Sequence, residues 1–459
     1  MDALLLSRLQ FAWVIAMHIL LPAFTVGLAA YVAVLEGAFF FTRRPVFARL
    51  SQFWLRLFAV SFGMGVASGI VMPFQFGTNW SRYSDLTADV VGPLMAYEVL
   101  MAFFLEAGFL GVLLFGRKLV PAWVHFFAAV MVAVGTLLST FWILSANSWM
   151  QTPVGHEILD GRFVPKDWLR IVFNPSFPYR LVHTTMAFFI TTAFVVIGVA
   201  AYHLRRDRHV EESLTMQKMG LGLLAVLVPL QVVVGDLHGL NTLEHQPAKI
   251  AAMEALWETR ARMPLLLFAW PDEQAERNHW EVGIPALGSL ILTHDADGTV
   301  RGLKDWPRQD RPPVAIPFFS FRVMVGIGVA MLGVTAAGLW LWRRGRLANA
   351  RRFQGLCVLA APLGFIAVIA GWVTTEVGRQ PWVVYGLLRT RDAVTPSLQA
   401  VDVAVSILVY IVAYVVIFGA GLVFMGRLVR RGFEPNAGLP SEAPDATPAR
   451  PISAAAGNP

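Results

Sequence analysis

Apolar and polar positions fall along this chain in long blocks. Nine blocks are apolar for long enough to cross a hydrocarbon layer: 9–39, 51–76, 93–116, 122–149, 180–203, 217–236, 316–342, 354–376 and 404–427. A layer about 30 Å thick takes roughly 20 helical residues. Lipid offers bare backbone groups no hydrogen-bond partner, so a chain crossing it in such blocks is helical. The pattern predicts an all-α integral membrane protein with nine transmembrane helices. Residues 237–315 form one long charged loop. Within it AKIAAMEALWETR, 248–260, carries apolar and charged residues at helical spacing and predicts a short amphipathic helix. The predicted organisation is six helices (1–236), the loop (237–315), three helices (316–430) and a Pro- and Ala-rich tail (431–459) expected to be disordered. No internal repeat points to a transporter built from inverted halves. The first block is too long for a signal peptide and lacks a cleavage site, so it is expected to be retained.

Composition agrees. Of 459 residues 56% are hydrophobic and 15% charged, with a net charge of +7; soluble domains carry about a quarter charged residues. The basic residues cluster in alternate connectors: Arg43, Arg44 and Arg49; Arg117 and Lys118; Arg205, Arg206, Arg208 and Lys218; Arg343, Arg344, Arg346, Arg351 and Arg352. Arg427, Arg430 and Arg431 follow the ninth block, whereas the connector after the second holds only Arg82. The positive-inside rule puts this set in the cytoplasm, the N-terminus and the long loop outside, and the C-terminus inside. The basic surplus is then membrane anchoring and argues against nucleic-acid binding. The single cysteine, Cys357, excludes an intramolecular disulfide, a zinc cluster and covalent c-type haem attachment.

Ionisable groups inside spans are costly and tend to be functional. The candidates are His18, Glu98, Glu106, His183 and Glu376, with Met324 as a thioether. By the predicted topology His18, Glu98, His183, Met324 and Glu376 all fall in the outer half of the membrane. Singly, each also reads as core packing or a helix-end ion pair. Together they suggest one shared region. His and Met are a suitable axial pair for a six-coordinate, electron-passing haem, which fits His183 with Met324. A carboxylate such as Glu376 can ligate a haem and leave its other face open to oxygen, and Arg379 follows one turn later to pair with it or with a propionate. Glu98 and Glu106 lie eight residues apart, about 80° around an α-helix, and suit a proton relay with Ser139 and Thr140 as hydroxyl links. Lys249 and Glu254, near each other on the amphipathic helix, suit a quinol, which needs a proton acceptor and a donor.

These segments resemble subunit I of cytochrome bd-type quinol oxidases over about 1–430. The carrying motifs are SRLQFA before His18, GPLMAYEVLMAFFLEAGFLG around Glu98 and Glu106, GTLLSTFWILSANSWMQTPVG at 135–155, PSFPYRLVHTTMA through His183, FFSFRVMVG with Arg322 and Met324, and GWVTTEVGRQPW with Glu376. The resemblance implies that His183 and Met324 ligate a low-spin haem b, and that His18 and Glu376 serve a high-spin pair, haem b and haem d, without saying which serves which. It implies that Glu98 lies at the oxygen-reducing haem, that Glu106 is on a proton path, that Lys249 and Glu254 bind quinol, and that Arg322, Arg379 and Trp372 line haem pockets. The loop is short and resembles the short-loop branch, which includes the cyanide-insensitive oxidases, some of which carry haem b in place of haem d. Implied partners are a second large subunit, a small single-helix subunit, quinol, O2 and membrane lipid, in the bacterial cytoplasmic (inner) membrane. The expected activity is that of a quinol:O2 oxidoreductase that oxidises quinol outside, reduces O2 to water and builds a proton gradient without pumping. The alternative is a haem-b electron-transfer subunit serving another enzyme, which would call for paired histidines; His125 and His203 lie toward the cytoplasmic side and make no pair with the outer set.

Overall fold

The computed structural model describes residues 2–434, so the expected disordered tail lies largely outside the described residues. Among them nine helical spans are long and apolar enough to cross a membrane: Ala3–Thr42, Pro45–Thr78, Ser81–Lys118, Ala122–Gln151, Phe177–Leu204, Val210–His245, Ala315–Arg343, Arg351–Val377 and Ala400–Arg431. All nine expected helices are present, most of them longer than the apolar blocks. The sixth runs on to His245, well into the stretch expected to be loop, because its polar last turns pack on protein.

Proline shapes two spans where chemistry is expected. Pro22 has no N–H to give the carbonyl of His18, and Leu21 N–H bonds that carbonyl instead at 3.0 Å. The first span therefore breaks into Ala3–Ile19 and Pro22–Thr42 immediately beside His18. In the third span, Pro93 precedes a π-helical stretch, Glu98–Phe103. A π-turn winds less per residue than an α-turn, so Glu98 and Glu106 come closer to one face than the roughly 80° of a regular helix.

The fifth span is the most enclosed. Small residues let its neighbours approach: Gly27 of the first span lies against Thr192, and Ala361, at the break in the eighth, against Gly198. One end of the bundle holds the arginine clusters. There Arg49 pairs with Glu211 and Glu212, Arg56 with Glu434, and Arg351 with Asp207. The other end carries the 246–314 segment and the 378–399 connection. Tyr385 N–H bonds Met150 O at 3.0 Å, and Tyr83 N–H bonds Ala393 O at 3.0 Å, closing that connection onto the third and fourth spans.

The 248–260 stretch differs from expectation. Its helix is shorter, Pro247–Met253, and residues 248–253 are all buried. Ala251, Ala252, Ala255 and Trp257 pack with Val314 and Phe318 at the start of the seventh span. The alternation read as an amphipathic surface helix is thus a buried plug, because the loop folds back over it. A hairpin, Leu265–Asp272 with Arg277–Ile284, covers one side.

Candidate active site

Glu376 ends the eighth span inside a dense polar network. Its Oε1 accepts from Asn147 Nδ2 at 3.1 Å and Gln151 Nε2 at 3.3 Å, both from the fourth span. Its Oε2 takes the Arg379 guanidinium, one turn on as expected. Arg180, buried near the start of the fifth span, donates to Asn147 Oδ1. Lys249 Nζ donates to Gln151 Oε1 at 2.7 Å, and its stem packs on Gly378, where an added methyl would lie 2.8 Å from Lys249 Cγ. Lys249 is thereby one side chain removed from Glu376. Burial, reinforced by the charge of Arg180, holds the Lys249 ammonium well below the usual lysine range.

Lys249 and Glu254 do not face each other. Glu254 lies just past the short helix and its carboxylate sits 2.6 Å from Arg322 NH2. Arg322 also donates to Leu266 O at 2.9 Å and to Met253 O, and stacks over Phe318 at 4.0 Å. Its donors are turned to the loop. It pins the loop to the seventh span.

His18 sits 2.9 Å from Ser68 Oγ. That hydroxyl's proton goes to Gly65 O at 3.1 Å. The His18 Nδ1 must therefore be the donor, which leaves the Nε2 lone pair free, as a metal-ligating imidazole requires. His183 has a buried Nδ1 with no hydrogen-bond partner among the described residues. Its ring lies 5.4 Å from that of His238 and against Gly235, both on the sixth span. Met324 sulfur lies over Gly371, where an added methyl would be 2.7 Å away. Trp372 is the next residue along and is half-buried. His183 and Met324 thus stand on the fifth and seventh spans, each of which packs against both the sixth and the eighth.

Ser139 Oγ donates to Glu98 Oε1 at 2.7 Å, bridging the third and fourth spans. Glu106 is buried further along. Thr140 instead bonds Thr136 O of its own helix at 2.9 Å and takes no part in this link. The sequence reading passed over Arg180, Asn147, Gln151, Ser68 and His238. It also passed over Glu36, a carboxylate in the apolar run VAVLEGAFFF that the rule applied to Glu98 would have flagged. Glu36 is buried among Arg117, Ser51 and His125, with His125 Nδ1 3.1 Å away.

Residues 6–433 match the family described as cytochrome bd terminal oxidase subunit I. The chain belongs to that family. It is 35% identical to cytochrome bd ubiquinol oxidase subunit 1 of Bacillus subtilis (strain 168), with 95% of each chain covered. It is 33% identical to cytochrome bd-II ubiquinol oxidase subunit 1 of Escherichia coli (strain K12), covering 94% of this chain and 97% of the relative. Its fold matches that of the bd oxidase from Geobacillus thermodenitrificans with a TM-score of 0.87, at 30% identity, over 94% of this chain and 99% of that one. It is therefore the first subunit of a respiratory terminal oxidase, a haem-containing, multi-pass protein of the bacterial inner membrane that works with a second subunit.

The donor set fits haem. Arg379 Nε and Nη1 and Arg180 Nε are buried with no partner among the described residues, as guanidinium groups are when they await propionate oxygens. Gly69 and Gly235 pack on the rings of His18 and His183, where an added methyl would lie 3.3 and 3.5 Å from Cε1.

Proposed function

We propose that this subunit oxidises quinol at the loop end of the bundle and reduces O2 to water within the same half of the membrane. The observation that carries the reading is the unbroken contact from Lys249 through Gln151 to Glu376. It joins the candidate proton acceptor for quinol to the candidate haem carboxylate through two side-chain hydrogen bonds, 2.7 and 3.3 Å long.

The arginine clusters at the opposite end support the loop end facing outside. His183 and Met324 would hold a low-spin haem b, and His18 and Glu376 would serve the two high-spin haems, haem b and haem d or a second haem b in its place. Trp372 would lie beside them. Arg379 and Arg180 would take propionates. Bound there, haem supplies iron that carries electrons and binds oxygen.

The chain's own groups handle protons. Burial disfavours the charged form of Lys249 and makes it a readier proton acceptor; Lys249 takes a proton from the quinol hydroxyl while Glu254, fixed by Arg322, accepts the second at the loop side. Those protons leave outside. Water formation draws protons from the cytoplasm, which Glu106 and then Glu98, oriented by Ser139, pass outward. Charge separates by uptake alone, without a pump. The second subunit completes the path; a small single-helix subunit is a further partner.

Met324→Leu tests the ligand assignment. The purified oxidase should lose its low-spin haem b absorbance while pyridine haemochrome shows the other haems retained. An unchanged reduced spectrum refutes the assignment.

A further inference from the structure

The hairpin that covers the quinol candidates presents an apolar face to the outside. Trp280 is 75% exposed and Trp270 54%, and Leu267, Phe268, Val282 and Ile284 are exposed beside them. Phe268 and Val282 are cross-strand partners. Charges gather at the turn, where Glu276 is held by Arg308 and Arg311. Glu281 is the one acid on the flank, and Asn278 Nδ2 donates to it at 2.8 Å. Six large apolar side chains on one short hairpin is far more than scattered surface leucines, and such patches mark partners or membrane.

Two observations choose the bilayer. The face is continuous with the lipid-facing surface of the seventh span: the rings of Phe268 and Trp270 lie 6.1 and 5.9 Å from Phe319 in that span's first turns, and Ile316 and Val323 there are exposed. The patch is also rich in tryptophan, the residue enriched where acyl chains meet headgroups. Behind the hairpin, Arg322 Nε bonds Leu266 O at 2.9 Å, Trp257 Nε1 donates to Asn278 Oδ1 at 2.9 Å, and Asn278 Nδ2 donates to Ala255 O at 2.9 Å. These bonds tie the hairpin to Ala255 and Trp257, just past Glu254, and to Arg322, its ion-pair partner.

We propose that the 265–284 hairpin lies in the interfacial layer of the bilayer and receives the isoprenoid tail of quinol on its way to Glu254 and Lys249. The inference rests on the quinol reading above. The tail slides from lipid onto Phe268, Trp270 and Val282 without crossing water, and the headgroup reaches the buried pair behind.

Two measurements on the complete oxidase in lipid nanodiscs test this. A spin label at Trp280→Cys should collide with lipid-soluble oxygen more than with a water-soluble nickel chelate. Preference for the chelate, or protection from both by a protein partner, overturns the bilayer placement. The Trp270→Ser/Trp280→Ser variant, with haem content checked by spectrum, should raise KM for a long-tailed quinol on the order of tenfold, about 1.4 kcal/mol of lost tail contact. KM for a short-tailed quinol and kcat should stay unchanged. Equal KM changes for both quinols, or none, overturn the tail-guiding role. If the unaltered oxidase oxidises neither quinol, the underlying reading fails while the label still reports where the hairpin lies.

Discussion

The contact between Glu254 and Arg322 decides whether the loop stays over the candidate quinol site, and breaking it has a calculable effect. The groups are 2.6 Å apart with side chains 6% and 15% exposed, so solvent screens them little. Removing one partner of a buried ion pair costs about 3–5 kcal/mol, because the remaining charge stays buried and unpaired. In Glu254→Leu, Arg322 keeps its bonds to Leu266 O and Met253 O, which places the cost at the lower end, about 3 kcal/mol. The pair closes the turn in which Glu254 N–H bonds Ile250 O at 2.9 Å and Leu256 N–H bonds Ala251 O at 2.8 Å. Hydrogen exchange at these amides reports local opening, and about 3 kcal/mol makes it on the order of a hundredfold faster. Arg322→Met should do the same or more, since it strands a carboxylate. The double variant should be milder than the sum of the two single ones, because two apolar side chains leave no buried charge unpaired. Exchange in Glu254→Leu within about threefold of the parent, well under 1 kcal/mol, would refute the pinning role. So would a double variant whose effect equals the sum of the two.

Two further outcomes follow from the polar groups. Lys249 is held below its ordinary value of about 10.4, so between the two values the unfolded chain binds a proton that the folded chain does not. Stability must therefore rise with pH across that window and level off above it. Lys249→Met should abolish the slope in thermal unfolding of the purified complex, and an unaltered slope would show that Lys249 is not the depressed group. Ser139→Ala removes the 2.7 Å bond to Glu98, worth about 1 kcal/mol and hence roughly fivefold in rate. Stopped-flow spectroscopy should show slower oxidation of the reduced enzyme by O2 with unchanged reduction by quinol, whereas slowing of both would mean a general packing defect.

The spans were legible because lipid imposes one rule, internal backbone pairing, on every residue that enters it. The same rule made Glu98, Glu106 and Glu376 conspicuous, since a carboxylate in an apolar run is costly to bury. Glu36 obeyed it equally and was missed only because it was not weighed. What the sequence concealed were partners whose residue types are ordinary. Gln151, Asn147 and Ser68 look like any polar residue near a helix end, and only packing shows that one bridges Lys249 to Glu376, one joins Arg180 to it and one fixes the proton on His18.

The loop misled in an instructive way. Periodicity in 248–260 records which positions meet water only if one face does meet it. Here the hairpin, the first turns of the seventh span and the end of the fourth enclose the short helix on all sides. Its charged positions therefore point to buried partners, Lys249 to Gln151 and Glu254 to Arg322. The two residues that the pattern set side by side are separated by the protein, one turned toward Gln151 and Glu376 and one toward Arg322 and the hairpin. That separation gives each charge a buried partner of its own. It also explains why buried charge survives at a membrane edge, where every other position of the helix is apolar.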